Sequence, residues 1–99
     1  MDLFNPGRIV VTRGIEDRRC RDIRFFGFLE ESIARHLEGD WGNLCAEDRE
    51  MNDEAIAAEQ RGEPTDSLFS MYRHSDGTEV YIITEWNREI TTILYPEEY

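Results

Sequence analysis

The chain has 99 residues, 39% of them hydrophobic and 11% aromatic, with 22 acidic side chains against 11 basic ones, a formal net charge of -11. That length holds one globular domain, residues 1-99, with one modest core, and a field of this sign repels nucleic acid and attracts basic protein surfaces. No apolar run approaches the roughly 20 residues of a membrane helix, and the start MDLFNPGRIVVTRG lacks a basic-then-apolar signal pattern, so a soluble cytoplasmic protein is expected.

In chain order, Asn5-Pro6-Gly7 reads as a turn and Arg8 to Thr12 as a short β-branched strand closed by Gly14. Ile15 to Cys20 is charged and aperiodic, a loop or a first helical turn. From about Arg21 to Glu38, Phe26, Leu29, Ile33 and Leu37 recur at helical spacing, and Gly39 is placed to end that helix in a left-handed conformation. After Gly39-Asp40-Trp41-Gly42 a second helix is expected from Leu44 or Cys45 to Arg61, capped by Asn43 or Cys45, with Glu47 and Asp48 at its positive end. Its pattern sets Leu44, Met51, Ala55 and Ala58 on one side and Glu47, Glu50, Asp53 and Glu54 on the other. Gly62-Glu63-Pro64 breaks it.

Three β-rich runs follow. Ser67 to His74 joins the next run through Ser75-Asp76-Gly77-Thr78, where Asp-Gly suits a two-residue type I′ turn, and the stretch from Val80 to Tyr95 folds back at Asn87-Arg88. The fold expected is α+β: an antiparallel sheet of three or four strands with two helices packed on one face.

The acidity is concentrated: residues 1-38 hold seven acids and seven arginines, residues 39-67 hold nine acids and two arginines, and residues 68-99 hold six and two. Cys20 and Cys45 stand far apart without a Cys-x-x-Cys or a neighbouring histidine, which leaves a zinc site unsupported and reads as two reduced structural thiols. No nucleotide loop or other cofactor motif is present, so no cofactor is expected.

The blocks Arg35-His36-Leu37-Glu38-Gly39-Asp40-Trp41-Gly42-Asn43-Leu44, Asn52-Asp53-Glu54-Ala55, Ser70-Met71-Tyr72, Ile83-Thr84-Glu85 and Thr91 to Tyr99 (TTILYPEEY) resemble a family of short bacterial proteins of plasmids and other mobile elements, labelled plasmid-related proteins or restriction-modification subunits. The resemblance covers roughly residues 7-12 and 33-99. It departs at residues 60-67, which look longer than in the family, and at Glu85-Trp86-Asn87-Arg88, where the family more often reads Glu-Ala-Asp-Arg. It implies a mobile-element setting rather than a mechanism.

Two functional readings follow. In the first, Glu47, Glu50, Asp53 and Glu54, joined by Glu59, Glu63 and Asp66 and flanked by Asp40 and Trp41, form an anionic strip for a basic protein surface. The chain is then a non-enzymatic inhibitor of a nucleic-acid-binding defence complex, binding no nucleic acid or membrane itself. In the second, His36 is the general acid/base of a small ribonuclease-like enzyme, facing Ser70, Tyr72, His74, Tyr81, Glu85 and Thr92 on the sheet. The scarcity of cations in the sheet region speaks against it. A purely accessory or dimeric structural protein is the third.

Overall fold

A computed structural model describes residues 2-99. Its elements are β1 (Arg8–Val11), α1 (Arg13–Arg19), α2 (Ile23–Leu37), α3 (Ala46–Gln60), β2 (Leu68–Arg73), β3 (Glu79–Thr84) and β4 (Ile90–Leu94), followed by a 3-10 turn at Pro96–Glu98. The sheet order is β1-β4-β3-β2. The three later strands are antiparallel neighbours, but β1 lies parallel to β4, Arg8 opposite Ile90 and Val11 opposite Ile93. The all-antiparallel expectation is therefore corrected to a mixed sheet.

A third helix also appears. Thr12 starts α1 by accepting the Ile15 N–H on its hydroxyl, and Ile15 anchors the helix by its complete burial, so one apolar residue suffices where no period was visible. Asp22 caps α2 through the Phe25 N–H, and Gly39 ends it at φ +83°. Cys45 occupies the N-cap of α3 without a side-chain bond, leaving Glu47 and Asp48 to meet the helix dipole, and Gly62 ends it at φ +74°.

The buried stripe of α2 is Phe25, Leu29, Ser32 and His36, rotated from the expected stripe; Phe26 is exposed, and Ile33 and Leu37 lie partly buried beside the core. On α3 the buried residues are Asn52, Ala55, Ile56 and Ala58, whereas Met51, expected inward, is 68% exposed.

One core cluster joins Ile15, Phe25 and Leu29 to Tyr72, Val80, Ile82 and Ile93, and a second joins Phe4, Trp41, Ala55 and Ile56 to Leu68. Leu68, Tyr72, Val80, Ile82 and Ile93 share one sheet face, so α1, α2 and α3 all contribute to covering it. Each fully buried side chain of this size is worth about 1.5–3 kcal/mol. The other face carries Phe69, Met71, Tyr81, Ile83 and Thr92, partly exposed.

The β2–β3 connection is a three-residue loop, Ser75 to Gly77, closed by the His74 N–H to Thr78 O at 2.7 Å, with Gly77 at φ +92°. Ser70 thus faces Ile82 and Tyr72 faces Val80, one residue out of step with the expected type I′ register. A slip of one exchanges the faces. Tyr81, Glu85 and Thr92 accordingly lie on the face opposite to Ser70 and Tyr72, a correction to the set expected to face His36. The β3–β4 register is as expected, Thr84 opposite Thr91, although the connection spans residues 86-89 with Arg88 at φ +59°.

The free edge of β2 is covered. Asn52 of α3 donates its amide to Phe69 O at 2.7 Å and accepts the Phe69 N–H at 3.2 Å, while Trp41 O and the Asn43 N–H pair with Met71. An exposed edge would otherwise present these groups to another chain.

Candidate functional site

His36 is 1% exposed and sits at the centre of the α2 stripe rather than on its flank. Its Nδ1 lies 2.5 Å from Ser70 Oγ and its Nε2 2.9 Å from Thr84 Oγ1; Thr84 Oγ1 lies 2.7 Å from Thr91 Oγ1, whose hydroxyl donates to Pro6 O at 2.7 Å. The Pro6 carbonyl fixes the donors as far as His36 Nε2. Thr91 donates to Pro6, so it accepts from Thr84, and Thr84 accepts from His36 Nε2–H. In the neutral ring Nδ1 then accepts the Ser70 hydroxyl proton.

Burial keeps the imidazole neutral, and the network then selects the Nε2–H tautomer. Burial, aided by the charge of Arg88, pushes its pKa down to about 4. Phe4 and Trp41 stand edge-on to the ring at 5.4 and 5.6 Å. A general acid/base must reach the proton it moves, and here both nitrogens are occupied behind aromatic walls.

The remaining residues of the ribonuclease-like set do not assemble around it. Ser70 and Tyr72 share its buried face, but the Tyr72 hydroxyl donates to Asp40 O at 2.6 Å and burial raises its pKa. Glu85 is exposed at the end of β3 on the opposite face. Thr84 and Thr91, the residues that complete the His36 chain, went unrecognised in the sequence; the correct β2–β3 register would have placed Thr84 inward.

Of the residues expected to bind a partner, Asp40 grips Arg35 through two hydrogen bonds at 2.8 and 3.2 Å, and that bond holds its carboxyl below the usual range. Trp41 is a core residue, 3% exposed, whose indole N–H donates to Asp53 at 2.9 Å. Neither the Trp41 ring nor the bonded oxygen of Asp53 is free to meet another protein.

Glu47, Glu50 and Glu54 are exposed along α3 with Met51 on the same side of the helix. Together with Ala55, Ala58 and Pro64 they line a groove of about 510 Å³ against the 61-66 loop, which adds Glu63 and Asp66 to its rim. Arg61 bridges Glu54 at 3.0 Å and Glu63 at 2.8 Å. Glu47, Asp48 and Glu50 take part in no ion pair among the described residues. Glu59, expected in the anionic strip, turns instead to Arg88 at 2.8 Å, a guanidinium only 9% exposed that also donates to Asp66 O and Glu85 O.

Cys20 and Cys45 are free and exposed, standing at the C-cap of α1 and the N-cap of α3. Among the described residues no group of three His, Cys, Asp or Glu is placed to hold a metal ion, and no helix is long and apolar enough to cross a membrane. Compared with models of known protein families, with curated proteins and with solved structures, the chain has no match.

Proposed function

We propose that the chain is a non-enzymatic binding module that engages a basic protein surface through the exposed acidic face of α3. The observation that carries this reading is the surroundings of Met51: a residue 68% exposed, on one helix face with Glu47, Glu50 and Glu54, of which only Glu54 has a cation partner among the described residues. An apolar anchor within a rim of charge is the arrangement of an interface centre, and the unpaired carboxylates would steer a cationic partner toward it. A catalytic role for His36 is disfavoured by its enclosure.

The finer reading names the partner as the DNA-binding surface of a host defence nuclease, with the chain as a mobile-element inhibitor of the anti-restriction or anti-CRISPR kind. It rests on the resemblance of RHLEGDWG and TTILYPEEY to proteins of mobile elements.

The test compares wild type with Glu47→Gln/Glu50→Gln/Glu54→Gln and with Met51→Ser, against a partner recovered from the host. The triple variant should fold with almost unchanged stability, since exposed charges contribute about 0–1 kcal/mol. It should associate more slowly, and wild-type binding should weaken steeply with salt. Met51→Ser should speed dissociation. Equal affinities for all three proteins would place the interaction elsewhere.

A further inference from the structure

We infer that the groove between α2 and the end of β2 is a binding site for a phosphate-type oxyanion, independent of the acidic face of α3. The groove has a volume of about 540 Å³ and is lined by three arginines, Arg24, Arg35 and Arg73, against the single carboxylate of Glu31. Asp40 and Glu79 each offset one of these arginines from outside the groove, but the lining itself is richer in cations than in acids on a chain with twice as many acids as bases. The groove beside Met51 has one arginine among five carboxylates, and the one beside Trp41 has Arg49 among three.

Two of the guanidiniums are held in place from behind. Asp40 takes the Nε and Nη2 edge of Arg35, and Glu79 takes the same edge of Arg73, at 3.2 and 2.7 Å. Neither carboxylate takes a hydrogen bond from Nη1, so each arginine keeps that corner as a donor. Arg35 is further fixed over the Tyr72 ring at 4.8 Å. Arg24 has no carboxylate partner among the described residues. Oriented guanidinium donors suit the several oxygens of a phosphate, and the exposed Ser75 lines the same space.

Gly27 is the second observation. Glycine in a helix interior lowers helix stability relative to alanine, yet no neighbour requires it, for a Cβ built there meets nothing within 4 Å. It lines the groove and leaves the α2 backbone open to a ligand. Phe28 and His74, with ring centroids 4.7 Å apart, form one wall, which would receive a flat organic group if the phosphate is an ester.

The test follows backbone amide shifts of Gly27, Ser32 and Ser75 by NMR while inorganic phosphate, 5′-AMP or acetate is added at constant ionic strength. Saturable shifts with phosphate and AMP, stronger than with acetate, are expected; tighter AMP binding assigns a phosphate ester, equal binding assigns the free anion. Arg24→Gln/Arg73→Gln should weaken binding about tenfold or more. Gly27→Leu should abolish it while raising thermal stability, an outcome that a folding defect cannot imitate. Unsaturable shifts, equal response to acetate, or binding unchanged in both variants overturns the site.

Discussion

α2 meets the sheet through Phe25 and Leu29, both out of solvent, whereas α3 meets it through the smaller Ala55 and Ile56 and a set of polar anchors. Those anchors are Asn52 on the Phe69 backbone, Thr65 on Ala55 O at 2.5 Å, Trp41 on Asp53 and Arg88 on Glu59. The α2 side is held by area, with its buried polar chain fully paired; the α3 side is held by directional bonds to a strand edge. A helix held in this way can expose nearly its whole outer face, and it is expected to open before α2.

Removing area from the α2 side gives the largest effect. Phe25→Ala should cost about 3–5 kcal/mol in urea denaturation. A loss below about 1 kcal/mol would mean that α2 does not carry the core.

The next test is of pH. Because the folded pKa of His36 lies near 4, below the ordinary 6.5, the unfolded chain takes up its proton first as pH falls. Stability is therefore complete above about pH 6.5 and declines by about 3 kcal/mol as pH drops through the window to 4, from 2.5 units at about 1.36 kcal/mol each. The His36 ring should titrate near 4 by NMR; a midpoint near 6.5 would refute its enclosure.

Asn52→Ala gives the smallest of the three effects. Stripping the Phe69 backbone of its partner should cost about 1–3 kcal/mol. Amide exchange should accelerate in α3 and at Phe69 while α2 keeps its protection, and uniform acceleration would erase the contrast between the two helices.

Much of this contrast was hidden in the sequence for reasons that the structure makes plain. The α2 stripe includes Ser32 and His36, which a hydrophobic period cannot find, and the neighbouring Phe26, Ile33 and Leu37 offered a plausible stripe beside it. The helix itself and its Gly39 end were legible because both depend on local chemistry. On α3 the decisive inward residue is Asn52, whose place is set by the edge of β2 and not by apolar spacing. Asp76-Gly77 correctly marked a turn, but one additional loop residue moved the register and exchanged the faces, bringing Thr84 inward and sending Glu85 away. The RIVVT run showed a strand and could not show its partner, since alternation carries no information on direction.

That partner is β4, and the pairing of Arg8–Val11 with Ile90–Ile93 has a consequence for how the molecule is made. β1 is completed only by β4, so it waits unpaired while the elements between the two are synthesised. The two strands are neighbours in the sheet although most of the sequence lies between them, and contacts so distant in sequence slow folding. Early helices can form and β2–β3 can zip locally, but the outer edge of β4 closes only after synthesis has passed Leu94.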